Sequence, residues 1–260
     1  MKNIIKKRVI PPVLCLTLIA SHALMEPGVA SLQGEAPSSQ ALSIVTWATK
    51  SAFQQPDEDP RVRVASSQVL PNRVAVSRLA ALSKADEEIQ TLSKHLTEQG
   101  YRARTAPANH FGWDVTYRLP DGQTAKVTIL IQDYTKEGSR DTAAVGTMTI
   151  TARSRSNTYT FSLVAPGGDF RDAIESTVDK RSLNVLRANS LWSCFVNRVN
   201  SKCTGTCIAA LGTCLTSGVT WAAYLGCLAV KCGACAAKAF GCCLCDCSWW
   251  CRWAVGCCHR

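Results

Sequence analysis

The chain has 260 residues, a formal net charge of +10 and a hydrophobic content of 47%. These values are typical of a globular protein, and the length suffices for one medium-sized domain and a small one. The cysteines are distributed unevenly, because 14 of the 15 lie between Cys194 and Cys258 and the other is Cys15. The chain therefore divides into a cysteine-free body, residues 31–191, and a cysteine-rich tail, residues 192–260.

The first thirty residues have the pattern of a secretory signal. Basic residues precede an apolar stretch without charge between residues 9 and 24, and small residues follow at suitable cleavage positions. This order predicts a signal peptide over residues 1–30 and a secreted, extracellular protein. An uncleaved membrane anchor is the alternative, and the shortness of the apolar stretch disfavours it. Cleavage would remove Cys15 and leave an even number of cysteines for disulfide pairing.

The body begins with a polar segment and continues with helical spacing. Residues 31–72 are rich in Ser, Gln, Pro and Ala, which predicts an irregular linker or pro-region. After this segment, apolar residues recur every three or four positions, with Ser83 and Asp86 as candidate caps of a second helical stretch and Gly100 as its stop. The apolar stripe consists of Val76, Leu79, Leu82, Ile89, Leu92 and Leu96.

Beyond Gly100, apolar and polar residues alternate, which predicts strands. The turn Pro120-Asp121-Gly122 separates two alternating runs and indicates a β-hairpin. Two further runs, from Val145 to Thr151 and from Thr158 to Val164, extend the hairpin to a four-stranded antiparallel meander. Residues 73–168 are therefore predicted to be an α+β domain with the helix packed on this meander.

A break at Pro166-Gly167-Gly168 ends the predicted domain. Residues 169–191 are predicted to form a helical connector, with Ile174, Val178 and Leu186 on its apolar side. The predicted fold class is thus α+β, a helix packed on a small antiparallel meander, followed by a disulfide-rich, mainly helical peptide domain over residues 192–260.

The body contains no recognisable catalytic motif. It lacks cysteine, G-x-S-x-G, H-E-x-x-H and a phosphate-binding glycine loop, and its two histidines are His95 and His110. His95 is interpreted as a helix-boundary residue, and Asp114 and Asp121 as strand-face and turn residues. We therefore predict a protein that is not an enzyme and has no catalytic residue, cofactor or metal.

The tail carries half of the net charge. It contains six basic residues and one acidic residue, a net charge of +5. A cationic, apolar, exported segment suits anionic membranes, because its bases approach the headgroups while apolar side chains are buried. Export and the lack of a basic cluster argue against nucleic acid as a partner. The predicted membrane-contact residues are Trp221, Trp249, Trp250, Trp253, Lys231, Lys238 and Arg252.

The tail cysteines have helical spacing. Cys203, Cys207 and Cys214 share one face of a helix, and Cys235 and Cys242 are seven residues apart. Because neighbours on one helix make poor disulfide partners, a stripe on one helix is predicted to pair with a stripe on another. The individual pairs stay open at this point. The predicted disulfide cysteines are Cys194, Cys203, Cys207, Cys214, Cys227, Cys232, Cys235, Cys242, Cys243, Cys245, Cys247, Cys251, Cys257 and Cys258.

Three alternatives compete with a disulfide-linked tail. The motif Cys232-Gly-Ala-Cys235 has zinc-ligand spacing, but export and five tail tryptophans disfavour a metal-thiolate cluster. The same motif lacks the preceding strand of a thioredoxin-like redox site. Residues 208–230 are long enough to span a membrane, although many threonines make them only moderately hydrophobic.

The layout of the chain resembles the precursors of halocin-like cysteine-rich bacteriocins. The residues that carry the resemblance are Trp192-Ser193-Cys194, Cys203-x₃-Cys207, Cys214, Cys227, Cys232-x₂-Cys235 and the block from Cys242 onward. The resemblance covers the overall plan and residues 192–260. It implies an exported proprotein whose hydrophobic, disulfide-rich end is released as an antimicrobial peptide, with the preceding part protecting the producer in some cases.

The sequence thus leads to one expected function and one alternative. Proteolysis after Arg181 or Arg187 would free a cationic peptide that damages the membranes of target bacteria. The expected partners are those membranes, a processing protease and the body itself, which would act as carrier, chaperone or immunity part by neutralising the peptide within the chain or in trans. The alternative is a secreted or membrane-attached structural or interaction protein whose tail is never processed.

Overall fold

The computed structural model describes residues 61–170, 173–179, 181–188, 191–217, 220–244 and 249–257. The predicted signal peptide and most of the predicted linker lie outside these residues. The described strands are β1 (Arg63–Val69), β2 (Tyr101–Ala103), β3 (His110–Arg118), β4 (Thr124–Lys136), β5 (Thr142–Ala152), β6 (Arg155–Ala165), β7 (Ile174–Val178) and β8 (Val185–Ala188). The described α-helices are α1 (Asn72–Ala85), α2 (Glu87–Glu98), α3 (Leu191–Lys202), α4 (Gly205–Ser217), α5 (Trp221–Leu244) and α6 (Trp249–Val255).

The strands form one antiparallel sheet in the order β1-β3-β4-β5-β6-β7-β8. Strand β3 pairs with residues 124–132 of β4, and β2 pairs with residues 134–136 of the same strand. Strands β2 and β3 therefore lie end to end along β4. Consecutive strands from β3 to β8 are neighbours, as expected for strands joined by short connections. The α+β class is confirmed, with a helical, disulfide-rich C-terminal region.

Of three local signals in the first half of the body, the structure confirms two and corrects one. Asp86 caps α2, since its carboxylate accepts hydrogen bonds from the backbone N–H groups of Glu88 at 2.9 Å and Ile89 at 3.2 Å. Ser83 instead donates to the carbonyl of Leu79, so it is not a cap. The β3–β4 turn has Gly122 at a φ of 80°, a conformation that glycine adopts without a steric penalty.

The sheet is wider than the predicted four-stranded meander, and two segments differ in type. Strand β1 occupies the end of the segment predicted to be irregular, where it pairs with β3. The predicted helical connector contains strands β7 and β8 instead of a helix. Ile174 and Val178 are four residues apart, and residues at this spacing share a face in a strand as well as in a helix. The open edge of β6 decides between the two, because it provides the hydrogen-bonding partners for β7.

The two faces of the sheet are covered by different helices. On one face, α1 and α2 bury Leu79, Leu92 and Leu96 against the sheet. On the other face, α5 packs against β1, β3, β4 and β5, and α3, α4 and α6 pack around α5. One continuous hydrophobic core includes side chains of the body and of the tail. The tail helices therefore form one of three layers in the described part of the chain.

The sheet face beneath α5 is closely packed at Gly146. A Cβ atom at this position would lie 2.5 Å from Cζ of Phe161 and 3.0 Å from Cγ1 of Ile131. We expect Gly146→Ala to lower the free energy of unfolding by about 1–3 kcal/mol through overpacking, measured by urea denaturation. Gly205→Ala is the matched control, because nothing lies within 4 Å of its added Cβ. An equal loss of stability in both variants would contradict the prediction.

Candidate functional site: the disulfide-linked helices and the sheet face beneath them

Disulfides join α4 and α5 into an antiparallel helical hairpin. Cys207 bonds to Cys232, and Cys214 bonds to Cys227, so positions later in α4 pair with positions earlier in α5. The Cα–Cα distances of these two disulfides are 4.9 and 5.7 Å, within the usual range. The hairpin therefore has a covalent framework in addition to its packing.

Three further disulfides tie the rest of the tail to α5. Cys203 bonds to Cys235, next to the hairpin. Cys194 of α3 bonds to Cys243 at the end of α5, and Cys242 bonds to Cys257 after α6. Cys251 is disulfide-bonded as well. Cys245, Cys247 and Cys258 lie outside the described residues.

The predicted pairing between elements is confirmed, with one correction. Cys203 lies in the bend after α3 and not on the helix that carries Cys207 and Cys214. Cys232 and Cys235 bond to two different partners, so the C-x-x-C motif forms no disulfide of its own and offers no free thiolate pair to a metal. Disulfides in this number indicate that the protein folds in an oxidising compartment.

An aromatic cluster connects the body with the tail. The ring centroid of Phe170 lies 4.4 Å from that of Trp221 and 5.1 Å from that of Tyr224. Trp192 of α3 contacts the same Trp221 ring at 5.3 Å. Trp221 is fully buried. The start of α5 is thus fixed by aromatic side chains from two other segments of the chain, those of Phe170 and Trp192.

Asp133 of β4 caps the N-terminus of α5. Its buried carboxylate accepts a hydrogen bond from the backbone N–H of Ala222 at 3.0 Å. The positive end of the helix dipole favours a carboxylate at this place. Burial nevertheless raises the pKa of Asp133 to about 6, while hydrogen bonds from Thr220 and Ala222 and the charge of Arg104 oppose this shift. A body residue therefore positions the principal helix of the tail.

Glu175 of β7 performs the same task for α3. Its carboxylate accepts a hydrogen bond from the backbone N–H of Leu191, the first residue of α3, at 2.8 Å. Burial raises the pKa of Glu175 to about 7, and the hydrogen bond from Leu191 opposes the shift. Two of the tail helices thus begin on buried carboxylates of the body. Sequence reasoning identified neither residue, although Asp133 continues the core-facing series of Ile129 and Ile131.

These carboxylates predict a dependence of stability on pH. Their ordinary pKa values are 3.8 for Asp133 and 4.5 for Glu175, so the folded protein binds more protons than the unfolded chain up to about pH 7. Stability is then greatest when both are protonated and falls as the pH rises through the raised values. We expect the free energy of unfolding to be higher at pH 5 than at pH 8 by on the order of 2–4 kcal/mol.

Urea denaturation at the two pH values measures this difference. The variant Asp133→Asn/Glu175→Gln keeps acceptors for both helix N-termini but removes the titration, so its stability should change much less between pH 5 and pH 8. The prediction fails if wild type and double variant show the same pH dependence. The carboxylates with lowered pKa values, such as Asp114, do not interfere, because they titrate below this window.

The predicted membrane-contact residues have different positions. Lys231 and Arg252 are exposed, and Lys231 donates to Oγ1 of Thr213 at 3.1 Å. Lys238 is half-buried and donates to the carbonyl of Val62. Trp253 is half-buried beneath the guanidinium of Arg153, 4.6 Å from its ring centroid. Trp221 is in the core, which excludes membrane contact in the intact fold, while Trp249 and Trp250 begin α6.

The predicted alternative of a span over residues 208–230 is contradicted by the fold. These residues belong to the antiparallel helices α4 and α5, and not to one continuous helix. Within the described chain, one helix, Trp221–Leu244, is long and apolar enough to cross a membrane. An 18-residue stretch of this helix has a mean hydropathy of 1.5, and 44% of the stretch is buried inside the protein. This helix is interrupted at Gly233, where φ is 47° and ψ is −123°.

The two predicted processing sites lie in different environments. Arg181 is exposed in the loop between β7 and β8. Arg187 lies within β8, where its backbone is paired with Ser176 of β7. The comparisons with known proteins add no assignment, since no family model, no curated protein and no solved structure matches the chain.

Proposed function

We propose that this chain is the precursor of a secreted antimicrobial peptide that acts on bacterial membranes. The observation that carries the proposal is the self-contained covalent framework of the tail. Each of the five disulfides whose two cysteines both lie in the described part of the chain has its partners between Cys194 and Cys257. A fragment that begins before Cys194 therefore retains its cross-links after it is cut from the body, which stabilises a small peptide with little core of its own.

The charges of the tail support a membrane as its target. The described tail residues include no carboxylate, whereas Lys231, Lys238 and Arg252 are basic. Such a peptide is attracted to anionic lipid headgroups. Its apolar side chains, including Leu225, Leu228 and Phe240, are buried in the intact protein and would become available to acyl chains after release.

The body would then serve as carrier, chaperone or immunity part. Its sheet face and the side chains of Phe111, Phe161 and Phe170 share one core with the tail helices. By covering these helices after export by the predicted signal peptide, residues 1–30, the body would keep the peptide inactive until its release. A body without its own tail would expose this apolar sheet face, which could then bind a free peptide in trans.

Mass spectrometry of the native culture supernatant tests the processing step. We expect a species with the mass of the tail that gains alkyl groups only after reduction. This fragment should release dye from anionic vesicles and not from zwitterionic vesicles, whereas the intact protein should release none. An oxidised fragment without effect on anionic vesicles or on sensitive bacteria would refute the proposed function.

The alternative function is a secreted structural or interaction protein with an unprocessed tail. One observation favours it, namely the continuous core that joins body and tail. Separation of the two parts would expose apolar surface on both. If only the full-length oxidised protein is found in the culture, and no shorter form appears, this alternative is preferred.

A further inference from the structure

We propose that hydrolysis after Arg181 does not release the tail, and that the C-terminal fragment, beginning at Ser182, remains bound to the body as the partner that supplies strand β8. This inference rests on the proposed function and concerns the step between cleavage and release. Activation would then require two events, proteolysis followed by dissociation of a noncovalent complex.

The β7–β8 loop is the accessible one of the two predicted cleavage sites. Residues 181–184 are all exposed, and 40% of the Leu183 side chain is accessible to solvent. Exposed loop tips are the preferred places of proteolytic cleavage. Cleavage after Arg187 would instead require β8 to leave the sheet, because Arg187 is paired with Ser176.

The cleavage itself leaves the loop compatible with the fold. An arginine-specific endopeptidase breaks the C–N bond between Arg181 and Ser182, consumes one water molecule and leaves a carboxylate on Arg181 and an ammonium group on Ser182. The Asp179 carboxylate already accepts a hydrogen bond from Oγ of Ser182 at 2.9 Å. The new ammonium group therefore forms close to an acidic side chain, which favours the existing position of the cut end.

Strand β8 keeps its partners after the cut. Its four residues pair with β7 in the register Val178↔Val185, Thr177↔Leu186, Ser176↔Arg187 and Glu175↔Ala188. Val185 also packs against the buried cluster that contains Val178 and Ile89. The C-terminal fragment thus adds an edge strand to the sheet of the body, a recognised mode of peptide binding.

Contacts beyond the strand bind the same fragment. Glu175 and Asp133, both on the body side of the cut, hold the N-termini of α3 and α5. Phe170 on the body side packs against Trp221 on the tail side. Burial of such apolar surface is the main favourable term in protein association. No disulfide can contribute once Cys15 has been removed with the predicted signal peptide, because the chain has no cysteine between residues 16 and 193.

The test uses the oxidised full-length protein and an arginine-specific endopeptidase under native conditions. Intact-mass analysis should show cleavage after Arg181, and the cleaved protein should elute from a size-exclusion column at the volume of the uncut protein. The two fragments should separate in denaturant without a reductant. Immediate separation after the cut in native buffer would overturn the proposal.

Amino-acid substitutions test which bond is cleaved and whether β8 holds the fragment. Arg181→Ala should prevent this cleavage, whereas Arg187→Ala should leave it unchanged; the opposite pattern would overturn the assignment. Hydrogen-bonded positions alternate along the antiparallel β7–β8 pair, and the backbone N–H of Asp179 donates to the carbonyl of Asn184, so Leu186 is the next β8 residue whose N–H faces β7. Leu186→Pro removes this donor and should accelerate separation of the cleaved protein by about tenfold or more, because changes in related interfaces act mainly on dissociation. An unchanged rate would show that β8 does not hold the fragment.

Hydrogen exchange provides a measurement that needs no variant. The backbone amides of Leu186 and Ala188, which face β7, should be protected to within about twofold in the cleaved and uncut proteins, since the pairing with β7 persists. Loss of this protection on cleavage would refute the proposal even if the fragments stayed together. Vesicle leakage by the isolated fragment is a separate readout, so a failure of the proposed antimicrobial function is distinguishable from a failure of retention.

Discussion

The double substitution Cys194→Ala/Cys243→Ala is expected to lower the free energy of unfolding by about 3 kcal/mol. This disulfide joins α3 to the end of α5 with a sequence separation of 49 residues, and the disulfide between Cys203 and Cys235 shortens the loop that it closes to the stretches from Cys194 to Cys203 and from Cys235 to Cys243. Its removal gives the unfolded chain more conformational freedom, and the cost grows with the length of the closed loop. A loss of this size is a large fraction of the stability of a typical domain.

The matched control is the shorter loop closed by Cys214 and Cys227. Their sequence separation is 13 residues, for which the same relation gives a loss of about 3 kcal/mol in Cys214→Ala/Cys227→Ala. Urea denaturation of the wild type and both variants at one pH provides the comparison, with near-UV circular dichroism to confirm that the variants fold. A loss below about 1 kcal/mol for the longer loop would contradict the structural role assigned to this disulfide.

Substitution of Trp221 by alanine should lower the free energy of unfolding by about 3–5 kcal/mol. The side chain is fully buried between Phe170 and Trp192, with ring centroids 4.4 and 5.3 Å away. Its removal leaves a cavity at the junction of body and tail, and the neighbouring rings lose their aromatic contacts. The substitution should therefore weaken the attachment of the tail helices as well as the whole fold.

Trp221→Phe is the control for this substitution, because it retains a ring in contact with Phe170 and fills part of the cavity. We expect it to lose less than half of the stability that Trp221→Ala loses in thermal and urea unfolding. Equal losses for the two variants would mean that ring packing is not the source of the effect. A stable Trp221→Ala protein would place this tryptophan outside the core and reopen its assignment as a membrane-contact residue.

Several local features of the body could be predicted because short-range patterns determine them. The cap at Asp86 and the glycine at Gly122 act within a few residues of their own positions. The stripe of Leu92 and Leu96 is buried on the sheet as its period indicates. In contrast, the spacing of Ile174 and Val178 suits a helix and a strand equally, so the neighbouring strand β6 was needed to decide.

For the candidate site, the sequence predicted that disulfides join different elements, but it did not predict the individual pairs. The spacing of Cys207 and Cys214 indicated pairing with another element, and the structure confirms this for Cys232 and Cys227. The individual pairs depend on how α4 turns back along α5, which no spacing within one helix contains. Likewise, Trp221 was assigned to a membrane surface from its residue type, whereas its neighbours in the fold place it in the core.

The division of the chain into a cysteine-free body and a cationic, cysteine-rich tail follows from the amino-acid sequence alone, because it depends only on composition and cysteine positions. That the tail helices complete the core of the body is visible only in the fold. The contacts responsible join residues distant in sequence, such as Asp133 with Ala222 and Phe170 with Trp221. Such long-range pairs depend on which apolar faces meet. Hydrophobic burial is not directional, so local sequence patterns do not specify which two faces pack together.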